Sequence, residues 1–553
     1  MLTTALILLP LAGALVVAIA PLPRTTTAGL AFLVALMEVG LWIAAASRFD
    51  FDDGGLQLGT SREWVESLGI SYSVGFYGFS LWLTGAVAIV SAAAMGYAMW
   101  VGRDRPRAYH ALMLFLTGAI VATFVSQDLL LFYISFEAML IPLYVLVGVW
   151  GGARRQAATL TFVVYTMAGS LLMLASVVAF GVTQGTFSLI SSGTSDNVWI
   201  FLGFAIAFAI KAPLFPFHGW LPLAYREAPV EVAAVLSAVV SKTAIYGFLR
   251  IGIPKFPEPA DDLSTVVLVL AGAGLVYGSL LAFRAPDLRG VIAYSSMAQM
   301  GLITLGVFAV DDLGLDGAVL LSVAHGLISA SMFLLVGMVE HRCGTGELSA
   351  LGSMARGRPV LATVVIVAGV IALAVPGSAT FAGEFLIMAG VYAQGWGYSV
   401  VVALGVVLAA MYTLRVISAI LHVKPGSAVR DEALDLRPGE LALVLPMLLV
   451  LLVLSAWPAL ISQSSFPSNR AAVSVTTNFS ADALRVAKGL SSPLAEIGLK
   501  GPCLNAIEAE MTSTALFVQT AEGRGGFAQA GLGDNPCADR VEGYSELVVK
   551  VYP

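Results

Sequence analysis

The chain has 553 residues and a formal net charge of −6, with 58% hydrophobic and 12% charged residues and a mean hydropathy of +0.89. Ordinary soluble domains carry about 25% charged residues, so a soluble globular enzyme is excluded, and the negative balance offers no basic surface for nucleic acid. What remains is a polytopic membrane protein.

Apolar runs of spanning length recur at 2–20, 27–46, 76–101, 109–126, 128–150, 159–182, 197–214, 231–253, 263–284, 288–309, 316–339, 358–394, 397–423 and 441–462. They predict an all-α fold of about fourteen transmembrane helices. The first run lacks a basic leader and another span follows almost at once, so it reads as a retained helix rather than a cleaved signal. From 1 to 463 the chain is expected to form one transmembrane domain. Residues 464–553 form a polar extension rich in Ser, Ala and Gly, whose few large apolar residues favour weak or no independent folding.

Bases alternate between the connecting loops. One set holds Arg24, Arg103, Arg105, Arg107, Arg154, Arg155, Arg226, Arg284, Arg289, Arg342, Arg356, Arg358, Lys424, Arg430 and Arg437. The other is acidic, with Asp50, Asp52, Asp53, Glu63, Glu66, Glu258, Asp261, Asp262, Asp311, Asp312 and Asp316. The positive-inside rule then puts the amino terminus outside, and an even helix count returns the carboxyl end to the same side. Of three cysteines, Cys343 falls on the reducing side, while Cys503 and Cys537 in the extension either pair or remain free thiols.

Ionisable residues inside the apolar runs are the candidates for function, since a charge at membrane depth costs about 2.5–3.5 kcal/mol on insertion scales. Glu137 lies in LLLFYISFEAMLIPLYVLVGV, with Pro142 beyond it to bend the helix. Lys211 ends FLGFAIAFAIK and is followed by Pro213 and Pro216, the pattern of a broken helix lining a polar path. Lys242 lies in AAVLSAVVSKTAIYGFLR, His325 in LLSVAHGLISASMFLLVGM, and Glu384 just after VPGSATFAG, where Pro376 and Gly377 make a second break. Each has a plainer alternative: an interfacial anchor for Lys211, a neutral histidine bonded to backbone for His325, a structural ion pair for Glu137, and a neutralising partner for Lys242. Taken together they form a proton path. Glu137 beside Lys211 holds the lysine protonated and separation releases the proton, Lys242 and His325 pass it laterally, and Glu384 is the terminal station. Two breaks, one in each half, point to inverted repeats.

The runs KAPLFPFHGWLP, YREAP, SKTAIYGFLR, DLRGVIAYSSMAQMG, AHGLISASMFLLVGM and PGSATFAGEF, in that order over about 70–425, resemble the antiporter-like membrane subunits of respiratory complex I. The resemblance implies that Glu137, Lys211, Lys242, His325 and Glu384 occupy the family's proton-path positions. A glutamate rather than a lysine at 384 resembles the M branch of bacterial NADH-quinone oxidoreductase. Departures from the family pattern are Leu223 for an aspartate, Tyr225 for a histidine, Gln299 for a histidine and Thr161 for a lysine. Gln299 can hold a water through its amide but cannot titrate.

Three scattered cysteines make no iron–sulfur pattern and no dinucleotide fingerprint follows a strand, so no redox cofactor and no metal is expected in this chain. What the resemblance implies is a proton-translocating, non-redox subunit in a bacterial plasma membrane, coupled through L-like and N-like neighbours to quinone reduction elsewhere. The alternatives are a subunit of a Mrp-type cation/proton antiporter or a membrane-bound hydrogenase, and a non-pumping membrane scaffold.

Overall fold

A computed structural model describes residues 1–65, 69–429 and 434–466. Glu66, Arg430, Cys503, Cys537 and nearly all of the polar extension lie outside the described residues.

The amino-terminal helices are α1 (Leu2–Ile19) and α2 (Arg24–Ala46). A hairpin of β1 (Gln57–Val65) and β2 (Ile70–Phe76) follows, antiparallel with Gln57 opposite Phe76 and Val65 opposite Ile70. It is the one sheet among the described residues of an otherwise helical membrane fold. Gln57–Val65 is polar, and in Ile70–Phe76 Ile70, Val74 and Phe76 turn inward, a half-buried strand pattern that hydropathy windows pass over. Next come α3 (Gly78–Val101), α4 (Pro106–Val125), α5 (Leu129–Ala138), α6 (Leu140–Trp150), α7 (Arg155–Gln184), α8 (Val198–Lys211) and the short α9 (Leu221–Glu227). The second half contains α10 (Val230–Lys255), α11 (Pro257–Asp262), α12 (Ser264–Arg284), α13 (Leu288–Phe308), α14 (Asp312–Cys343), α15 (Pro359–Ala372), α16 (Ala379–Tyr392), α17 (Trp396–Leu421), α18 (Pro438–Ala456) and α19 (Ala459–Ser462).

Among the described residues, 12 helices are long and apolar enough to cross a membrane, with α5 and α6 taken as one. The sequence count of fourteen exceeds this because two runs are interrupted. In the first, α8 stops at Lys211, and a single 3-10 turn (Phe217–Trp220) leads into α9. In the second, α15 and α16 are separated by 373–378, which contains Pro376. Proline lacks the N–H a continuing helix needs, and both breaks fall where prolines stand.

The two broken segments run in opposite directions, as inverted repeats require. Basic loops gather on one face: Arg154 meets Glu227 at the end of α9, and Arg226 meets Asp287 at 2.8 Å. On the opposite face the Met1 amino group meets Thr60 and Ser71 meets Asp128. Gln394, just after α16, donates to the Ala309 carbonyl on that face, so α16 ends there, whereas α9 ends among the arginines. The described chain also leaves on the acidic-loop face, where the Trp82 indole donates to Ser464 at 2.8 Å.

Helices α10 and α14 are each wholly buried over an 18-residue apolar stretch, the most enclosed of the 12 spans. They touch closely because Gly326 has no side chain: a Cβ there would stand 2.7 Å from the Ala238 carbonyl oxygen. Small residues at a helix crossing let backbones approach where lipid and neighbour are equally apolar. That approach sets the spacing of the site.

Candidate functional site

The α8 break places Lys211 inside the bundle, 2% exposed. Its Nζ donates to the Phe136 carbonyl oxygen at 3.4 Å and lies 4.4 Å from the centre of the Phe136 ring. The expected Glu137–Lys211 ion pair does not form. Glu137 follows Phe136 by one residue, a rotation of about 100° on a helix, and it shares the half-exposed side of α5 and α6 with Ile134, Ile141 and Tyr144.

Lys242 is built differently. The turn Leu236–Val240 of α10 is a π-helix, so the Ser241 N–H turns to the Leu236 carbonyl. This leaves the Ser237 carbonyl oxygen for the Lys242 ammonium, which donates to it at 2.7 Å. Widened turns of this kind recur at functional sites, because they free a backbone acceptor inside an otherwise saturated helix. A further contact joins Lys242 Nζ to His325 Nδ1 at 2.8 Å. A hydrogen bond between a lysine and a neutral imidazole nitrogen is a place where one proton can sit on either partner.

Beside this pair is a hydroxyl cluster that the sequence reading did not single out. Ser237 lies 2.9 Å from Ser296 and 2.6 Å from Ser329, joining α10, α13 and α14. The signal was available, since all three serines stand in strongly apolar runs, but small hydroxyls at helix contacts are common packing residues. Tyr225, where the family commonly has histidine, is buried and packs edge-on against Trp220 and Phe333. Leu223 and Thr161 are partly exposed and enter none of these contacts.

Glu384 lies near the start of α16, after the second break, and is fully enclosed. Gln299 Nε2 donates to Glu384 Oε1 at 3.0 Å, so the residue expected to hold a water contacts the terminal carboxyl directly. Among the described residues Glu384 Oε2 and Gln299 Oε1 have no hydrogen-bond partner. A cavity of about 50 Å³ lies between Gln299 and the histidine, lined among others by His325, Ser329, Ser295, Gln299, Thr380 and Tyr412. That volume holds about two to four waters, and the hydroxyls of Ser295, Ser329, Thr380 and Tyr412 offer them partners along a mostly apolar wall. The structure thus brings Lys242 to His325 and Gln299 to Glu384, with a cavity lined by His325 and Gln299 between the two pairs. Lys211 and Glu137 stand apart from that line.

At the basic face a cleft of about 470 Å³ is lined by Arg103, Arg226, Arg289, Glu227, Asp287 and Glu340, among others. Its walls are cross-linked: Arg289 grips Glu340 at 2.6 Å, and Arg103 holds the buried Glu231 through two bonds of 2.7 and 2.6 Å. Among the described residues no cluster of three or more histidine, cysteine or acidic side chains is placed to hold a metal.

The NADH:quinone oxidoreductase/Mrp antiporter transmembrane family matches residues 126–411, a stretch that contains all five candidate residues. NADH-quinone oxidoreductase subunit M of Rhodobacter capsulatus is 32% identical over 486 residues, covering 83% of this chain and 94% of that protein. The chain belongs to this family, in its subunit M branch. A chain of respiratory complex I from Thermus thermophilus superposes with a TM-score of 0.78 at 30% identity, over 84% of this chain and 98% of that one. A chain of the Mrp complex from Dietzia sp. DQ12-45-1b shares the fold alone, at a TM-score of 0.74 and 22% identity over 85% and 97% of the two chains.

Proposed function

We propose that this chain is the M-type proton-translocating membrane subunit of an NADH-quinone oxidoreductase, moving protons along Lys242, His325 and Glu384 while electrons pass through other subunits. The observation that supports this most is the Lys242–His325 contact, with His325 lining a cavity that reaches Gln299, the donor to Glu384. A row of groups able to give and accept protons, spanning three helices inside a membrane bundle, has no structural need that apolar packing would not meet better. Lys211 is the entry station at the first break, and Glu137, on the exposed side of its helix, senses the neighbouring subunit.

L-like and N-like subunits are the proposed neighbours, a bacterial plasma membrane the proposed location, and the acidic-loop face the proposed outer side. Each charge moved against the membrane potential costs about 2.3 kcal/mol per 100 mV, so the driving step must reach this chain through those neighbours. Glutamate at 384 favours this reading over a Mrp-type antiporter, whose subunits share the fold.

The test is proton pumping coupled to quinone reduction, in vesicles holding the assembled complex. Lys211→Ala, Lys242→Ala and Glu384→Gln are each expected to lower the proton yield per quinone reduced. Unchanged yields in all three would overturn the path, and a yield that depends on sodium would favour the antiporter.

A further inference from the structure

Glu38, in α2, plays no part in the line described above. It is wholly buried, and among the described residues no donor reaches either carboxylate oxygen. Eight residues separate it from the acidic-loop end of α2 at Ala46, about 12 Å at 1.5 Å per residue. It therefore lies deep in the bundle.

Its surroundings are set by the packing of α1, α2, α3 and α4 on one another. Close approaches of Gly13 to Val34, of Gly85 to Trp42 and of Gly96 to Phe32 fix the register. By that register Glu38 lies within about one helical turn of the level of Ser91, whose hydroxyl accepts from Thr117 at 3.2 Å. At a similar level on α1, Pro10 has no N–H to give, so the Leu6 carbonyl lacks its helical donor. The groups around Glu38 are therefore acceptors or hydroxyls. A protonated acid can donate to any of them, whereas a carboxylate would have at most a hydroxyl such as Ser91 to accept from, and among the described residues it accepts from none.

Among the described residues no cation forms an ion pair with Glu38. Helix α1 has no titratable side chain, and α2 has only Arg24 besides Glu38 itself. In α3 there is only Tyr97, and in α4 Arg107, Tyr109 and His110. All of these belong to the basic-loop half: Arg24 binds the Gly102 carbonyl, Tyr109 binds Glu231, and His110 Nδ1 lies 2.8 Å from the Pro106 carbonyl. Toward the acidic-loop face an aromatic group closes the quartet. Trp42 lies one turn beyond Glu38 with its N–H engaged by the Leu81 carbonyl at 2.9 Å, and Trp82 packs 6.2 Å from it. Phe51 stacks on Trp82 at 5.4 Å and Phe49 meets Phe51 at 5.1 Å. An unpaired carboxylate without donors or water is the costliest state a side chain can adopt in such a place.

We propose that Glu38 is a second proton-binding site of this chain, separate from the line ending at Glu384, and that it holds its proton at neutral pH beneath the lid of Trp42, Trp82, Phe51 and Phe49. Infrared spectra of the assembled complex at neutral pH, in H2O and D2O, test this by subtracting the Glu38→Gln spectrum from that of the unsubstituted complex. The expected result is loss of a deuterium-sensitive C=O band of a protonated carboxylic acid, a band that Glu384→Gln leaves in place. Loss of a carboxylate band instead would overturn the proposal. Should Glu38→Gln not assemble, unsubstituted complex carrying carbon-13 glutamate is compared with Glu38→Asp. The labelled acid band must then shift out of the glutamate set for the proposal to stand, and a shifted carboxylate band overturns it. Neither result depends on whether Glu384→Gln pumps protons.

Discussion

Gln299 holds the terminal carboxyl of the line, and it does so with a side chain that cannot itself carry a proton. Its Nε2 is the donor to Glu384 Oε1, while among the described residues its own Oε1 has no hydrogen-bond partner. Replacing it by leucine leaves Glu384 with no donor. Hydrogen bonds to charged groups are worth about 1.5–3 kcal/mol, and each 1.36 kcal/mol is tenfold in rate. Gln299→Leu is therefore expected to slow turnover-linked proton uptake about tenfold or more, while Gln299→His, which restores a titratable donor, is expected to keep it near the unsubstituted rate. Stopped-flow proton uptake in vesicles makes the comparison, and equal rates for leucine and glutamine would show that the amide is a packing residue. The sequence exposes Gln299 as a departure from the family pattern but does not show what it touches. Its partner lies 85 residues away.

At the scale of elements, α10 and α14 must lie close for Lys242 to meet His325. Gly326→Leu would drive a side chain against the Ala238 carbonyl. Overpacking of this kind costs about 1–3 kcal/mol, and the expected outcome is a lower thermal midpoint of the purified complex together with loss of pumping, because the helices must part. The foot of α10 is pinned by the Arg103–Glu231 pair, whose carboxylate is wholly buried. Removing one partner of a buried pair strands the other and costs about 3–5 kcal/mol. Glu231→Ala is thus expected to destabilise more than Gly326→Leu in the same thermal assay, and a smaller effect would show that Arg103 finds water.

A gentler case is Asp435, in the connection before α18, which accepts the N–H groups of Val360 and Leu361 at the start of α15 at 2.9 and 2.8 Å. Partial burial opposes its ionisation. The N–H donors of Leu361, Val360 and Leu436, with Arg342 nearby, outweigh that and hold its carboxyl below the ordinary range. A depressed folded-state value means the stabilisation is complete above the unfolded carboxylate value, about 3.9, and is lost as pH falls through the folded-state value. Asp435→Ala is expected to cost about 0.5–2 kcal/mol at neutral pH and progressively less in acid. Thermal melts at neutral and acidic pH check both the size and the sign.

For the whole molecule, the two faces differ in sign, and both ends of the described chain emerge on the acidic one. The positive-inside rule turns that difference into an orientation. With Cys343, Cys503 and Cys537 replaced by serine, single cysteines introduced by Asp53→Cys and Ala108→Cys, both exposed positions in the folded chain, mark the acidic and basic faces. In intact cells a membrane-impermeant maleimide is expected to label the first and spare the second, and the opposite pattern would invert the proposed orientation.

Spans, the two broken segments and the sidedness of the loops were legible in the sequence because each depends on local composition: about twenty apolar residues, a proline without an N–H, a run of arginines. The hairpin after α2 was missed because a half-polar strand leaves no such run. Helix rotation decided the rest. Hydropathy cannot tell a lipid-facing side from a buried one when both are apolar, so the sequence placed Glu137 in the same helix turn as Phe136 but could not show that it turns away from Lys211. Nor could it bring Lys242 to His325, 83 residues apart, or set three serines from three helices beside them. Those contacts exist because glycines let particular backbones touch and a widened turn in α10 frees one carbonyl, and both effects act only once the helices have packed.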